Sequence, residues 1–193
     1  MCCDVTQLIL YIIIVCSNSV YALASLFFPK VFVEKDISGF WSGLVFAQYS
    51  IIVCIVSPFI GTLITRCGYA NLVAVGLVAM GISIVPFGFL KKIESDVATI
   101  VVGLLLRTLQ GTASATINST CYSLAATKYP DQTEHMIGML EAVSGIGIIV
   151  GLMGGGYIYE KIGYMAVFLI FGTLLLVMAV VSRLLFRCLQ NSE

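Results

Sequence analysis

The sequence predicts an all-α membrane protein whose six transmembrane helices form two inverted three-helix repeats. Three observations carry this. Of the 193 residues, 60% are hydrophobic and 10% charged, against about 25% charged in a soluble domain. The apolar runs reach the roughly 20 residues that span a bilayer core, and they lack the alternation of barrel strands. Finally, "GTLITRCGY", starting at Gly61, returns as "GYIYEKIGY" at Gly156, an offset of 156 − 61 = 95 residues.

The spans follow from apolar runs and their punctuation. The first covers about residues 6–28. It lacks a basic n-region and is too long for a signal peptide, so it is a retained helix. "FFPKVFVEKD", with Pro29, separates it from the second span, about 39–64. The third covers about 69–90 and ends before "KKIESD". The fourth covers about 97–127 and is followed by "KYPDQTEH" with Pro130. The fifth and sixth cover about 134–159 and 163–186. No linker divides the chain, which reads as one domain with repeats at about 6–90 and 97–187.

The repeat extends beyond the opening phrase. At the same offset Gly43 maps to Gly138, Ala47 to Ala142 and Ile51 to Ile146. Gly61, Gly68 and Tyr69 map to Gly156, Gly163 and Tyr164, and Arg66 maps to Lys161. Spans 2–3 therefore align with spans 5–6. Three helices per unit make the two units insert with opposite topology, as in many transporter folds.

Charge excludes some functions and leaves topology open. The net charge is zero, so nothing points to nucleic acid. With the N-terminus inside, the inner segments hold Arg66, Lys128, Arg183 and Arg187. The outer ones hold Lys30, Lys35, Lys91, Lys92 and Lys161. Four against five decides nothing under the positive-inside rule. The seven cysteines have no metal-ligand spacing and read as thiols. Cys2 and Cys3 flank the first span, a setting for palmitoylation or simply for small residues near a terminus. No metal cluster, nucleophile–base pair or phosphate loop is present, so neither an enzyme nor a cofactor is expected.

Four polar residues stand out inside the spans. Arg107, in "LLLRTLQG", lies about ten residues into span 4, or roughly 15 Å at 1.5 Å per residue. That is near the midplane, where a charge costs at least about 2.5–3.5 kcal/mol. It should face a cavity or a partner, unless it only orders helix packing through carbonyls. Gln110 and Ser114 share its helical face. Glu141 lies about seven residues into span 5, roughly 10 Å deep. In a core about 30 Å thick it comes within about 5 Å of the depth of Arg107. The two either pair or bind one substrate together; otherwise Glu141 snorkels to the interface. Asn18 lines a cavity or bonds to another helix. Gln48 and Tyr49 read the same way, and His135 reads as an interfacial cap. The glycosylation pattern at Asn118 falls within span 4 and is discounted. Gly147, Gly151, Gly155 and Gly156 belong to a glycine ladder on span 5 that lets another helix approach closely.

Taken together, these residues resemble the N-terminal half of a major facilitator superfamily transporter. The 2–3 connection resembles the G-x-L-x-D-R-x-G-R signature through Gly61, Leu63, Arg66 and Gly68. Thr65 replaces its aspartate and Tyr69 its final basic residue. The resemblance makes this a cytoplasmic gating loop and so puts the N-terminus inside. "RTLQG" resembles the span 4 motif R-x-x-Q-G at Arg107, Gln110 and Gly111, whose arginine is tied to proton coupling in the family. "GIGIIVGLMGGG" resembles the antiporter motif through Gly147, Gly151, Gly155 and Gly156, with Leu152 in place of its proline. "FFPK", "LEAVSGIGIIVG" and "GYIYEKIGY" look most like the vesicular amine and polyamine branch of the drug–proton antiporters.

The resemblance implies a secondary active transporter, or half of one, that exchanges a small organic cation for protons. It assigns coupling to Arg107, charge compensation to Glu141, and lining to Gln110 and Asn18. The partners implied are the lipid bilayer, the solute and protons, and a second six-helix half or a homodimer partner. The last apolar run ends at "LLFRCLQNSE" without starting a seventh helix. The chain is then expected to be a fragment, a half-size dimer or an inactive truncation. The competing expectation is a non-transporting scaffold that binds partner helices through its glycine faces.

Overall fold

The computed structural model describes residues 2–190, with side chains from Val5 to Phe186 except Lys92. Six helices follow one another: α1 (Cys2–Glu34), α2 (Gly39–Cys67), α3 (Tyr69–Ile84), α4 (Asp96–Lys128), α5 (Thr133–Lys161) and α6 (Tyr164–Gln190). Each is long and apolar enough to cross a membrane, α3 only together with the 3-10 segment that carries it on to Lys91. Cys16, Cys54, Cys67 and Cys121 are free thiols. The side chains of Cys2 and Cys3 lie outside the described residues.

The 95-residue offset reappears in the geometry. α1 and α4 each contain 33 residues, and α2 and α5 each contain 29. α1 packs against α5, and α2 against α4, two pairings that the offset interchanges. The G-Y echo has a backbone cause. Gly68 has φ +77° and Gly163 has φ +112°, a region that L side chains rarely adopt. Each glycine reverses the chain in the space of a residue or two, and Tyr69 or Tyr164 opens the next helix.

Helix ends differ from expectation where proline was read as a stop. α1 runs through Pro29 as far as Glu34. Val31 and Phe32, beyond the proline, are buried, and the Phe32 ring lies 4.6 Å from that of Phe28. In a bilayer an unwound backbone would leave N–H and C=O groups unsatisfied, so one missing bond at Pro29 is the smaller cost. α2 extends through Arg66 to Cys67. Span 3 is shorter than expected as an α-helix: Val85–Lys92 is a 3-10 segment with Pro86 in its first turn, where the absent N–H forfeits no helical bond.

The first, third and fourth spans bury half or more of their most apolar stretches, whereas those of α2 and α5 bury the smallest shares. Several positions matched by the repeat lie on these open helices. Gly43, Ala47, Ile51 and Gly61 on α2 are exposed, as are Gly138, Ala142 and Ile146 on α5. A Cβ added at Gly43, Gly61, Gly138 or Gly156 would meet nothing within 4 Å.

Candidate functional site

Arg107 is 0% exposed. Its Nη1 donates to Gln110 Oε1 at 2.9 Å, one turn along α4. Aromatic rings from three other segments surround the guanidinium. Its Cζ lies 4.9 Å from the Phe46 ring centre, 5.7 Å from those of Phe28 and Tyr49, and 5.8 Å from that of Phe87. All are within the roughly 6 Å at which a cation is attracted to a ring face. Arg107 Nε and Nη2 and Gln110 Nε2 are buried with no hydrogen-bond partner. An intramembrane cation therefore sits in a ring cage, paired with no carboxylate among the described residues.

The polar line continues down α4 at i+3, i+7 and i+11, positions that share a helix face. Tyr49 Oη donates to Ser114 Oγ at 2.8 Å, and Asn118 Nδ2 donates to the same oxygen at 3.2 Å. Asn118 Oδ1 is buried and unpartnered. Tyr21 stacks on Tyr49 with ring centres 4.7 Å apart, and Gln48 Nε2 donates to Thr108 Oγ1 at 2.5 Å. Gly111 is the small residue of "RTLQG" for a packing reason: a Cβ there would stand 3.0 Å from the Tyr49 carbonyl oxygen.

The structure does not bring Glu141 to Arg107. Glu141 is exposed and accepts a bond from Tyr122 Oη at 2.8 Å. Tyr122 is fifteen residues beyond Arg107 on α4, about 22 Å along the helix. The expected match in depth assumed helices trimmed to a core of about 30 Å, but at 33 residues α4 is about 50 Å long. Depths counted from opposite helix ends then do not meet. Asn18 is half-buried on α1, and its Nδ2 donates to Ile14 O of its own helix at 2.9 Å. No bond from it to another helix is found among the described residues, and it packs beside Gly147.

Two further expectations need correction. Gly61, Thr65 and Arg66 are not in a loop but in α2, and Gly68 alone lies between α2 and α3. Thr65 Oγ1 donates to Thr62 O at 2.8 Å, so the residue in the aspartate's place is satisfied within its own helix. Arg66 is exposed in the last turn, where a cation suits the helix dipole. Of the ladder glycines, Gly147, Gly151 and Gly155 meet α1 at Val15, Ser19 and Leu23, an i, i+4, i+8 series on both helices. Ser19 Oγ shares its one hydrogen between Gly147 O across this seam at 2.8 Å and Val15 O of its own helix at 2.7 Å. Gly156 faces away and does not belong to the seam.

The ring cage is not legible in the sequence because its members come from distant segments, although the i, i+3 pair Phe46 and Tyr49 is. Asn118 is legible too, at i+11 from Arg107.

The sequence profile of the Major Facilitator Superfamily matches residues 10–191. The chain belongs to the Major Facilitator Superfamily. It is thus an integral, multi-pass membrane protein of a transporter family rather than an enzyme family. Human MFS-type transporter SLC18B1 is 26% identical over 158 residues, which cover 82% of this chain and 35% of that protein. The human chromaffin granule amine transporter is 33% identical over 147 residues, covering 75% of this chain and 26% of that transporter. The bovine synaptic vesicular amine transporter is 33% identical over 136 residues, 69% of this chain and 25% of that transporter. The match falls in the N-terminal part of these superfamily members, and the chain spans about a third of their length or less.

Proposed function

We propose that this chain forms one side of a secondary active transporter that exchanges a small organic cation for protons. It acts as a single six-helix unit, built of repeats at about 6–90 and 97–187, and works against a second six-helix unit. The observation that carries the reading is Arg107, fully buried with two guanidinium nitrogens unpaired. A lone buried charge is costly, so its counter-charge belongs to the second unit, which is absent from these six helices. A carboxylate of that unit, free to pair with Arg107 or to take up a proton or the cation instead, is the basis of coupling.

The roles follow from position. Arg107 and Gln110 couple, while Asn118 and Ser114 extend the polar track along α4. Glu141, exposed on α5 and held by Tyr122, compensates the charge of the cation, and Asn18 lines the solute path. The end of α2 at Gly61–Gly68 gates the cytoplasmic face, which fixes the N-terminus inside. The second unit docks on the exposed small residues of α2 and α5, around Gly43, Ala47, Gly138 and Ala142. Alternating access is then the rocking of one unit against the other around a midplane site. The relatives named as amine transporters support an amine as the cation.

The exposed glycine faces alone also suit a scaffold that binds partner helices, and Arg107 separates the two readings. The test is amine uptake driven by a pH gradient in proteoliposomes, with particle mass measured in the same preparation. A carrier loses uptake in Arg107→Gln while remaining folded. Uptake unaffected by Arg107→Gln would refute the coupling role. No uptake from either form, with the chain monomeric, would remove the homodimer and assign the second unit to additional chain.

A further inference from the structure

A groove of about 800 Å³ lies over α3, on the far side of α4 from Arg107. Along α3 its lining runs from Asn71 through Val75 and Val78 to Ile82. The eleven steps from Asn71 to Ile82 cover about 16 Å at 1.5 Å per residue, close to half of a core about 30 Å thick. Leu109 of α4 lines the deep end, and Val180 of α6 flanks the side. The aliphatic residues are open to the surroundings, Val75 at 62% and Val180 at 60% exposed.

The mouth of the groove has different chemistry. Asn71 and Arg183 line it together. α3 begins and α6 ends at the face that carries both termini, so the two residues share one membrane boundary. From Tyr164 to Arg183 is nineteen residues, about 28 Å, or roughly one core thickness. Asn71 spends one amide N–H on Cys67 O at 3.0 Å and keeps the other. The ion pair found among the described residues is Lys91–Glu34, and no described carboxylate pairs with Arg183. A free guanidinium at the boundary above an aliphatic channel one leaflet long has the polarity and length of a phospholipid.

We propose that this groove holds one anionic phospholipid of the leaflet at the terminus-bearing face. Its phosphate rests on Arg183 and Asn71, and an acyl chain lies along Val75, Val78 and Ile82. The occupant is a lipid rather than a partner helix because the cationic mouth and the aliphatic length match headgroup and chain in order. Basic pockets between helices at this depth bind anionic headgroups by the same complementarity.

The chain has a single tryptophan, Trp41, so a Trp41→Phe background makes an introduced tryptophan a local reporter. Val180→Trp reports from the groove, and Ile170→Trp from the same helix about 15 Å nearer the opposite face. Quenching by brominated phosphatidylglycerol relative to brominated phosphatidylcholine reads the lipid preference at each. The expected preference is about fivefold at position 180, the factor one basic residue provides near anionic lipid, and about one at position 170. Arg183→Gln should bring position 180 to about one, and Arg183→Lys should retain most of the preference. Equal preference at both positions, or a preference that Arg183→Gln does not reduce, would overturn the proposal. So would a tryptophan at position 180 that neither lipid quenches, since protein would then cover the groove.

Discussion

Gly151→Ala is a sharp test of the α1–α5 seam. A Cβ at Gly151 would collide with the Ser19 carbonyl oxygen and lie 2.7 Å from Ser19 Cα. The obstacle is backbone and cannot rotate away, so the helices must separate. Overpacking of this kind costs about 1–3 kcal/mol. Separation also breaks the bond from Ser19 to Gly147, worth about 0.6 kcal/mol in a membrane bundle. Alanine returns up to about 1 kcal/mol of helix propensity. Gly156→Ala gains the same propensity and meets nothing within 4 Å. The difference between the two variants therefore isolates the seam at about 2–4 kcal/mol. Unfolding equilibria in mixed micelles, followed by circular dichroism, measure it. Equal stability of the two variants would refute the close approach.

Other consequences are as specific. Gly68→Ala puts a side chain at φ +77°, ψ 157°, and should cost about 1–3 kcal/mol, whereas Gly61→Ala, with open space around it, should cost nothing in the same unfolding assay. Phe46→Leu should destabilise the Arg107 protein by about 1–2 kcal/mol through the lost cation–ring contact and should have much less effect in Arg107→Gln, a coupling read from a double-mutant cycle. Tyr122→Phe removes the bond to Glu141 at an exposed position. It should change stability by less than about 0.5 kcal/mol while weakening amine affinity in a competition assay.

The sequence carried some levels of this structure better than others. Hydropathy located all six spans, because in lipid the backbone must be satisfied within each segment, and that requirement writes itself into long apolar runs. The repeat was legible through Gly68 and Gly163, whose left-handed backbone tolerates little else. Helix ends were less legible at Pro29, where packing by Phe28 and Phe32 outweighs the local signal. Gly147 and Gly156 look alike in sequence, since which face of α5 meets α1 depends on the partner surface at Val15, Ser19 and Leu23. The error at Glu141 came from depth: neither overhang nor tilt of a 33-residue helix can be counted from a hydropathy boundary. Arg107 and Gln110 were legible because a mid-span charge is conspicuous, but the rings that enclose the guanidinium belong to three segments that only the fold brings together.

The coupling proposed for Arg107 ties proton movement to the movement of an organic cation. Its most direct test is internal pH. In liposomes containing the active assembly and no imposed gradient, external amine is added and a trapped dye follows the interior. The expected result is an amine-dependent rise in internal pH, as protons leave in exchange for the cation, and no rise with Arg107→Gln. Amine entry without a pH change, or an equal rise in both proteins, would contradict it.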